Sequence, residues 1–379
     1  MNNIEGKKKS IVVIGAGKTG RGFVARLLAE AGMKMCFVDI NEKLVSELNI
    51  RVDKGTGYTV HFFGNVRPPQ KIENYRAYTW DDVCFDDCDV VFVSVGGLNL
   101  TDVGKKLKEK LPRDRRIVVI VCENAVEPAK ALYEAIGFEN VKVTEATVFC
   151  TTIEDKENSL DINSENYPYL QYDADRLDGQ ESGVASIKPV ANFEHFLTRK
   201  LFTYNAASCV IAYLGFIKGY RVYSEAAADK QILELLDQNY AVTNIVMCKA
   251  FGYEEKDQEE FAHLSREKFT SVAIKDTVAR NAREPQRKLG SNERIIGPMK
   301  MIYKYGLSPD VLMMTAAAAL LYKEDGDTEW NRIRTENTPQ QILKKICCLG
   351  EEDHVLTEGI MRYYEDLSQN RGILWGQNT

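Results

Sequence analysis

A chain of 379 residues exceeds what one hydrophobic core usually organises, so two domains are expected. Its 44% hydrophobic and 27% charged residues fit a soluble globular protein, and a net charge of −6 argues against nucleic acid as a partner. The longest apolar runs, near 89–97 and 313–322, fall far short of the ~18 residues of a membrane span, so no membrane partner is expected either. Lys7-Lys8-Lys9 lead directly into a strand and not into a secretory leader. The nine cysteines form no CxxC, and several sit in apolar segments (Cys36, Cys122, Cys209, Cys248), which predicts reduced thiols and a cytoplasmic location.

Ile11-Val12-Val13-Ile14 predicts a buried strand. Gly15-Ala16-Gly17-Lys18-Thr19-Gly20 then turns the chain, and Arg21 to Ala31 carries apolar residues at helical spacing until Gly32. Met35 to Val38 reads as a second strand closing on Asp39. A glycine turn between strand and helix, with an acidic residue at the next strand end, is the dinucleotide fingerprint in its required setting. Gly15 permits the tight turn, Gly17 lets backbone approach a pyrophosphate, and Gly20 lets helix and strand pack closely. The pyrophosphate is expected on the helix N-terminus, with Lys18 and Thr19 completing the loop or, for Lys18, pointing into solvent. Asp39 can accept the adenosine ribose hydroxyls and would repel a 2′-phosphate, so the expected cofactor is NAD.

Further along, Asn41 caps a helix running to about Ile50, and Tyr58 to Phe63 alternates as a hairpin strand. Asp89 to Val95 is a buried strand ending at Gly96-Gly97, where strand ends of such sheets meet a ligand. The basic stretch Lys105 to Arg116 reads as a solvated helix face. Ile117 to Val121 is another buried strand, followed by Cys122-Glu123-Asn124, and Val141 to Val143 a further short one. This alternation predicts an α/β fold with a Rossmann-like, doubly wound, mainly parallel sheet. Residues 154–181, acidic and rich in Asn and Asp, read as a bridge in which Tyr167 to Tyr172 forms an edge strand. From about Asn192 the pattern is helical, over Phe193 to Gly215, Glu225 to Phe251, Asp257 to Phe269, Ser308 to Glu324 and Thr338 to Leu349. The expected organisation is an NAD-binding domain over 1–190, with 154–190 bridging, and an all-helical substrate domain over 191–379, with a cleft between them.

An NAD domain makes hydride transfer the leading reaction, and the helical half must supply a base. His61, His195, His263 and His354 are scattered without ligand spacing, so no metal is expected. At ~100° per residue, Lys200, Asn205 and Ser208 fall within an arc of about 140° and could line one cavity. A partly desolvated Lys200 would hold its proton weakly and could take one from an alcohol; the alternative is an ordinary surface lysine. Ile274 to Arg294 carries Arg280, Arg283, Arg287, Lys288 and Arg294, which could grip a phosphate or carboxylate. They could equally form a solvated basic face paired with Asp276, Glu284 and Glu293.

Gly15 to Phe23, Val121-Cys122-Glu123-Asn124, Arg199 to Asn205 with Ala212-Tyr213-Leu214-Gly215, and Arg287-Lys288-Leu289 together resemble the polyol-specific long-chain dehydrogenases, in order from about residue 10 to about 325. The resemblance implies interconversion of a polyol, such as the phosphate ester mannitol 1-phosphate, and its ketose. It also implies a small-molecule substrate, and a monomer or small homo-oligomer is expected. It maps the family's metal-independent lysine base onto Lys200 and its substrate-oxygen asparagines onto Asn124 and Asn205. Two positions depart from the family: Ser208 stands where it has histidine, and Val148-Phe149 where it has an Asp-Arg pair. Those departures keep open a catalytically decayed NAD-binding sensor or structural protein, and the arginines, which could grip a carboxylate, keep open a reductase of a keto-uronate.

Overall fold

The computed structural model describes residues 10–124, 127–156, 159–179, 181–271 and 276–369. Lys7 to Lys9 and the start of the 274–294 segment lie outside them. The chain divides into two compact units, Met1–Glu194 and His195–Thr379. None of the nine cysteines is in a disulfide.

Among its described residues the first unit holds twelve strands: β1 (Ser10–Ile14), β2 (Met35–Val38), β3 (Tyr58–Phe62), β4 (Gln70–Ile72), β5 (Tyr75–Tyr78), β6 (Cys88–Val93), β7 (Ile117–Val121), β8 (Val141–Thr147), β9 (Thr152–Glu154), β10 (Ile162–Ser164), β11 (Leu170–Asp173) and β12 (Ile187–Val190). Eight of them form one sheet in the order β12-β11-β8-β7-β6-β1-β2-β5. All its pairings are parallel except β8 with β11. From β1 the chain builds one way through β2 to β5, then returns to build the other way from β6, so the switch point lies between β1 and β6. Alternation sorts each strand onto two cores: Val13, Phe37, Phe92 and Ile120 on one face, Val12, Val38, Val91, Val93 and Val119 on the other.

Residues 154–190 are not a bridge. They supply β9 (in part), β10, β11 and β12, and β11 lies one strand in from the edge that β12 occupies. A second sheet, β4-β3-β10-β9, pairs β10 in parallel with β3, about a hundred residues earlier. It packs on the helix after the glycine turn so closely that a Cβ on Gly22 would stand 2.4 Å from Ile162. Arg26, fully buried in that helix, donates to the Tyr167 carbonyl and pairs with Glu30 at 3.1 Å.

The second unit is helical, with helices that include Lys230–Phe251, Glu255–Thr270, Ile296–Lys304, Asp310–Leu321 and His354–Gln369. Glu225 to Phe251 is not one helix: Asp229 breaks it, its side chain accepting from the N–H groups of Gln231 and Ile232. Phe193–Ile217 is one helix long and apolar enough to cross a bilayer, but most of it is packed within the protein. Val210, Ile211 and Leu214 on it bury against Ile232, Leu236 and the alanine-rich stretch of Asp310–Leu321.

Candidate active site

In the first unit a cavity of about 690 Å³ opens at the switch point, lined by Gly15, Gly17, Asp39, Ile40, Trp80, Ser94, Val95, Asn99, Lys105 and Lys106 among others. Each fingerprint glycine has its own physical reason. Gly15 has φ +93°, and a Cβ there would lie 2.0 Å from the Ser94 carbonyl oxygen. A Cβ on Gly20 would strike the Gly15 carbonyl at 1.9 Å, whereas one on Gly17 would meet nothing within 4 Å. Gly17 therefore leaves open the space that a pyrophosphate fills. Lys18 points to the surface and Thr19 is half-buried. Asp39 Oδ2 accepts from the Ala16 N–H at 2.8 Å and Oδ1 from the Asn41 N–H at 2.9 Å, which leaves a lone pair on each oxygen for a ribose hydroxyl. These residues fit a dinucleotide. Ile40, 79% exposed at the rim, and Trp80, with Lys106 Nζ 5.2 Å from its ring, join the cavity although no spacing in the sequence marks them.

Gly96 lies outside that lining. Its N–H donates at 2.6 Å to Glu123, whose carboxyl is pushed up by burial and held back by the Gly96 and Val95 N–H groups. The exposed Asn124 brackets a backbone: its Nδ2 donates to the Val148 carbonyl at 3.0 Å, and the Val148 N–H donates to its Oδ1 at 3.2 Å. Phe149, one of the two family departures, is buried and stacks on Tyr167 with centroids 5.0 Å apart.

In the second unit the lysine helix contains a π turn over Leu201–Asn205, where the Ala206 N–H reaches back to the Leu201 carbonyl. An unbroken α-helix would set Lys200 and Asn205 about 140° apart. A π turn joins residues five apart, so it draws them onto one face. From Lys200 to Gly215, the residues that keep partial exposure are Lys200, Leu201, Asn205 and Ser208. The three polar residues of the sequence prediction are thus among the few partly exposed positions in an otherwise buried stretch of helix. Burial brings the Lys200 ammonium down to about 7, with the positive charges of Lys268 and Arg294 adding to the effect. Lys268, on Glu255–Thr270, carries no signal in the sequence that would have singled it out. Ser208 donates at 3.5 Å to the Asn281 amide oxygen.

The basic segment splits. Arg280 pairs with Asp276 at 3.1 Å, Arg287 with Glu284 at 2.8 Å and Arg294 with Glu293 at 3.0 Å. Arg280, Arg283 and Arg287 are exposed. Lys288 is not offered to a ligand as the others are: it is buried, donates to the Asn281 carbonyl, and is brought down to about 8 by desolvation. Among the described residues no group of three or more His, Cys, Asp or Glu is arranged to hold a metal ion.

Two sequence profiles match the chain, the mannitol dehydrogenase Rossmann domain over residues 9–156 and the mannitol dehydrogenase C-terminal domain over 192–375. The chain belongs to the mannitol dehydrogenase family. Its relatives in that family include mannitol-1-phosphate 5-dehydrogenases from Thermoanaerobacter pseudethanolicus, 27% identical over 93% of this chain and 97% of the relative, and from Clostridium acetobutylicum, 28% identical over 94% and 98%. The fold matches a substrate-free D-sorbitol dehydrogenase with a TM-score of 0.76 at 13% identity, covering 97% of this chain and 95% of that one. It also matches Pseudomonas fluorescens mannitol 2-dehydrogenase, solved as a ternary complex with NAD and D-mannitol, with a TM-score of 0.63 at 13% identity over 97% and 93%.

Proposed function

We propose that this NAD-dependent polyol dehydrogenase oxidises a polyol phosphate of the mannitol 1-phosphate kind to its ketose, with Lys200 as a metal-independent general base. Bound NAD supplies the hydride acceptor; Gly15, Gly17, Gly20 and the helix N-terminus hold its pyrophosphate, and Asp39 its ribose. The neutral Lys200 amine takes the hydroxyl proton as the carbinol carbon gives up its hydride, and the O–H electrons become the carbonyl π bond. Asn205 and Asn124 donate to the developing alkoxide. Ser208 donates a hydrogen bond but carries no charge near neutrality. The observation that carries this reading is the Lys200 amine, brought down to about 7 by burial, with the charges of Lys268 and Arg294 acting on it and a π turn between it and the Asn205 amide.

The positive charges of Lys268 and Arg294 beside Lys200 suit a dianionic phosphate. A panel of ketoses, ketose phosphates and keto-uronates, followed by NADH absorbance, tests the reading. Fructose 6-phosphate is expected to turn over fastest, and a faster keto-uronate would replace the phosphate by a carboxylate. With none of its nine cysteines in a disulfide, we place the enzyme in the cytoplasm.

A second reading, a decayed NAD-binding protein, is favoured by Ser208 and by the packed Phe149. Ser208→His separates the two: a large gain in turnover marks a weakened enzyme, and no turnover in either form marks a protein that only binds NAD.

A further inference from the structure

A polar network is sunk in the core of the second unit beside the lysine helix. Arg199 is 5% exposed, and Gln258 and Thr203 are fully buried. The Arg199 guanidinium donates through Nε to Gln258 Oε1 at 2.7 Å and through Nη2 to the Asp257 carbonyl at 2.8 Å. It also pairs with the Asp257 carboxylate at 2.8 Å and lies 4.2 Å from the ring centroids of both Tyr253 and Phe261. The Gln258 amide nitrogen donates to Thr203 Oγ1 at 3.3 Å and to Asn244 Oδ1 at 2.9 Å. Burying a guanidinium and an amide is costly unless their polar atoms are satisfied, and apolar residues of similar volume would fill the space at least as stably. The network therefore calls for a reason other than stability.

Its position supplies one. Arg199 directly precedes Lys200, and Thr203 lies inside the π turn Leu201–Asn205. Gln258 spans the turn from outside, with its carbonyl oxygen on the residue before the base and its amide nitrogen on a residue within the turn. A π turn is a rare excursion from the α-helix. Losing it means a one-residue slip, which rotates everything before the turn by about 100° relative to everything after it. Such a slip would leave the helix intact and separate Lys200 from Asn205.

We propose that Arg199, Gln258 and Thr203 form a register lock, in which Gln258 is a positioning residue that holds the π turn and so keeps the Lys200 amine and the Asn205 amide on one face. The lock rests on the reading of Lys200 as the base. It also fixes the helix Glu255–Thr270, which carries both Gln258 and Lys268, against the lysine helix. The charged groups that bear on Lys200 are Lys268 from that helix and Arg294 from the segment before Ile296. A slip would move the amine relative to both.

Thr203→Val, which exchanges a hydroxyl for a methyl of the same shape, is the deciding variant, with Thr203→Ser as its conservative control and Gln258→Leu as the second probe. Turnover is measured against pH. Separately, the reactivity of Lys200 towards acetic anhydride is followed by mass spectrometry against pH without substrate. Thr203→Val is expected to lower kcat by about 10- to 100-fold with little change in KM. The labelling midpoint should leave the region of about 7 expected of the wild type. Thr203→Ser should restore both, and Gln258→Leu should repeat the loss. A folded Thr203→Val protein with wild-type kcat, pH profile and labelling midpoint overturns the lock even if its melting temperature falls, and it decides alone should Gln258→Leu fail to fold. The two ideas fail separately: turnover retained by Lys200→Met removes the base, while a displaced labelling midpoint in Thr203→Val upholds the lock.

Discussion

Among the described residues two helices carry a π turn, one in each unit, and they are held by different means. In the first unit the turn spans Gly20–Val24, directly after the glycine loop, and the Tyr58 hydroxyl donates at 3.0 Å to the Arg21 carbonyl inside it. Glycines surround it, Gly22 lets β10 press against it, and Arg21 is buried within reach of Glu154 at 3.6 Å. In the second unit the turn Leu201–Asn205 contains no glycine, and the buried Gln258 side chain donates to Thr203 within it. The first turn belongs to a binding surface that is already formed by backbone. The second sets where two side chains point. What a helix must present, main chain or side chain, decides whether its irregularity is written in glycine or in a buried network.

The largest effect that would break this contrast is on the lysine. Lys200→Met is expected to lower turnover by about 10²- to 10⁴-fold while NADH affinity, measured by fluorescence titration, stays near wild type. In the wild type, polyol oxidation should rise with pH through about 7 as the amine loses its proton, and ketose reduction should fall over the same range. A flat profile in both directions would mean that another group carries the proton. Asn205→Ala follows, with about 2–4 kcal/mol added to the barrier if the amide stabilises the alkoxide. An unchanged rate takes Asn205 out of the site.

Two glycine variants sharpen the other half of the comparison. Gly20→Ala forces a methyl against the Gly15 carbonyl and should destabilise the fold by about 1–3 kcal/mol, read as a lower melting temperature. Gly17→Ala meets no atom of the protein, so it should keep the melting temperature and weaken NAD binding by about tenfold. If both variants behave alike, the separate duties of the two glycines are wrong. A further effect concerns stability and pH. The folded chain holds the Lys200 proton less tightly than the unfolded chain does, so stability should rise with pH between about 7 and the ordinary lysine value of 10.5. Lys200→Met should therefore melt higher than wild type near neutral pH, with the difference shrinking as pH approaches that upper limit.

Much of the first unit was legible because its signals are local. Four β-branched residues, three spaced glycines and an aspartate at the next strand end specify a strand, a turn and a ribose contact within thirty residues. Residues 154–190 were not legible as sheet, since three- and four-residue strands such as β10 acquire meaning only from distant partners like β3. The edge position expected for Tyr167 to Tyr172 goes to β12 for the same reason. In the second unit Lys200, Asn205 and Ser208 could be placed roughly together from helical spacing. The turn that tightens them could not, because Leu-Phe-Thr-Tyr-Asn reads as ordinary helix. Lys288 looked like part of a basic face; its burial depends on the Asn281 carbonyl, seven residues earlier in the chain and invisible to charge patterning.

Asp39 has a consequence for redesign. Both its oxygens are already fastened to main-chain N–H groups on either side of the cavity, one in the glycine loop and one at the start of the next helix. The carboxylate is thus preorganised, and little torsional freedom is lost when a ribose arrives. Converting the enzyme to NADP by exchanging this one residue would unfasten Ala16 and Asn41 as well as remove the repulsion. Coenzyme preference here is a property of a braced loop, and a successful switch would have to rebuild the brace along with the charge.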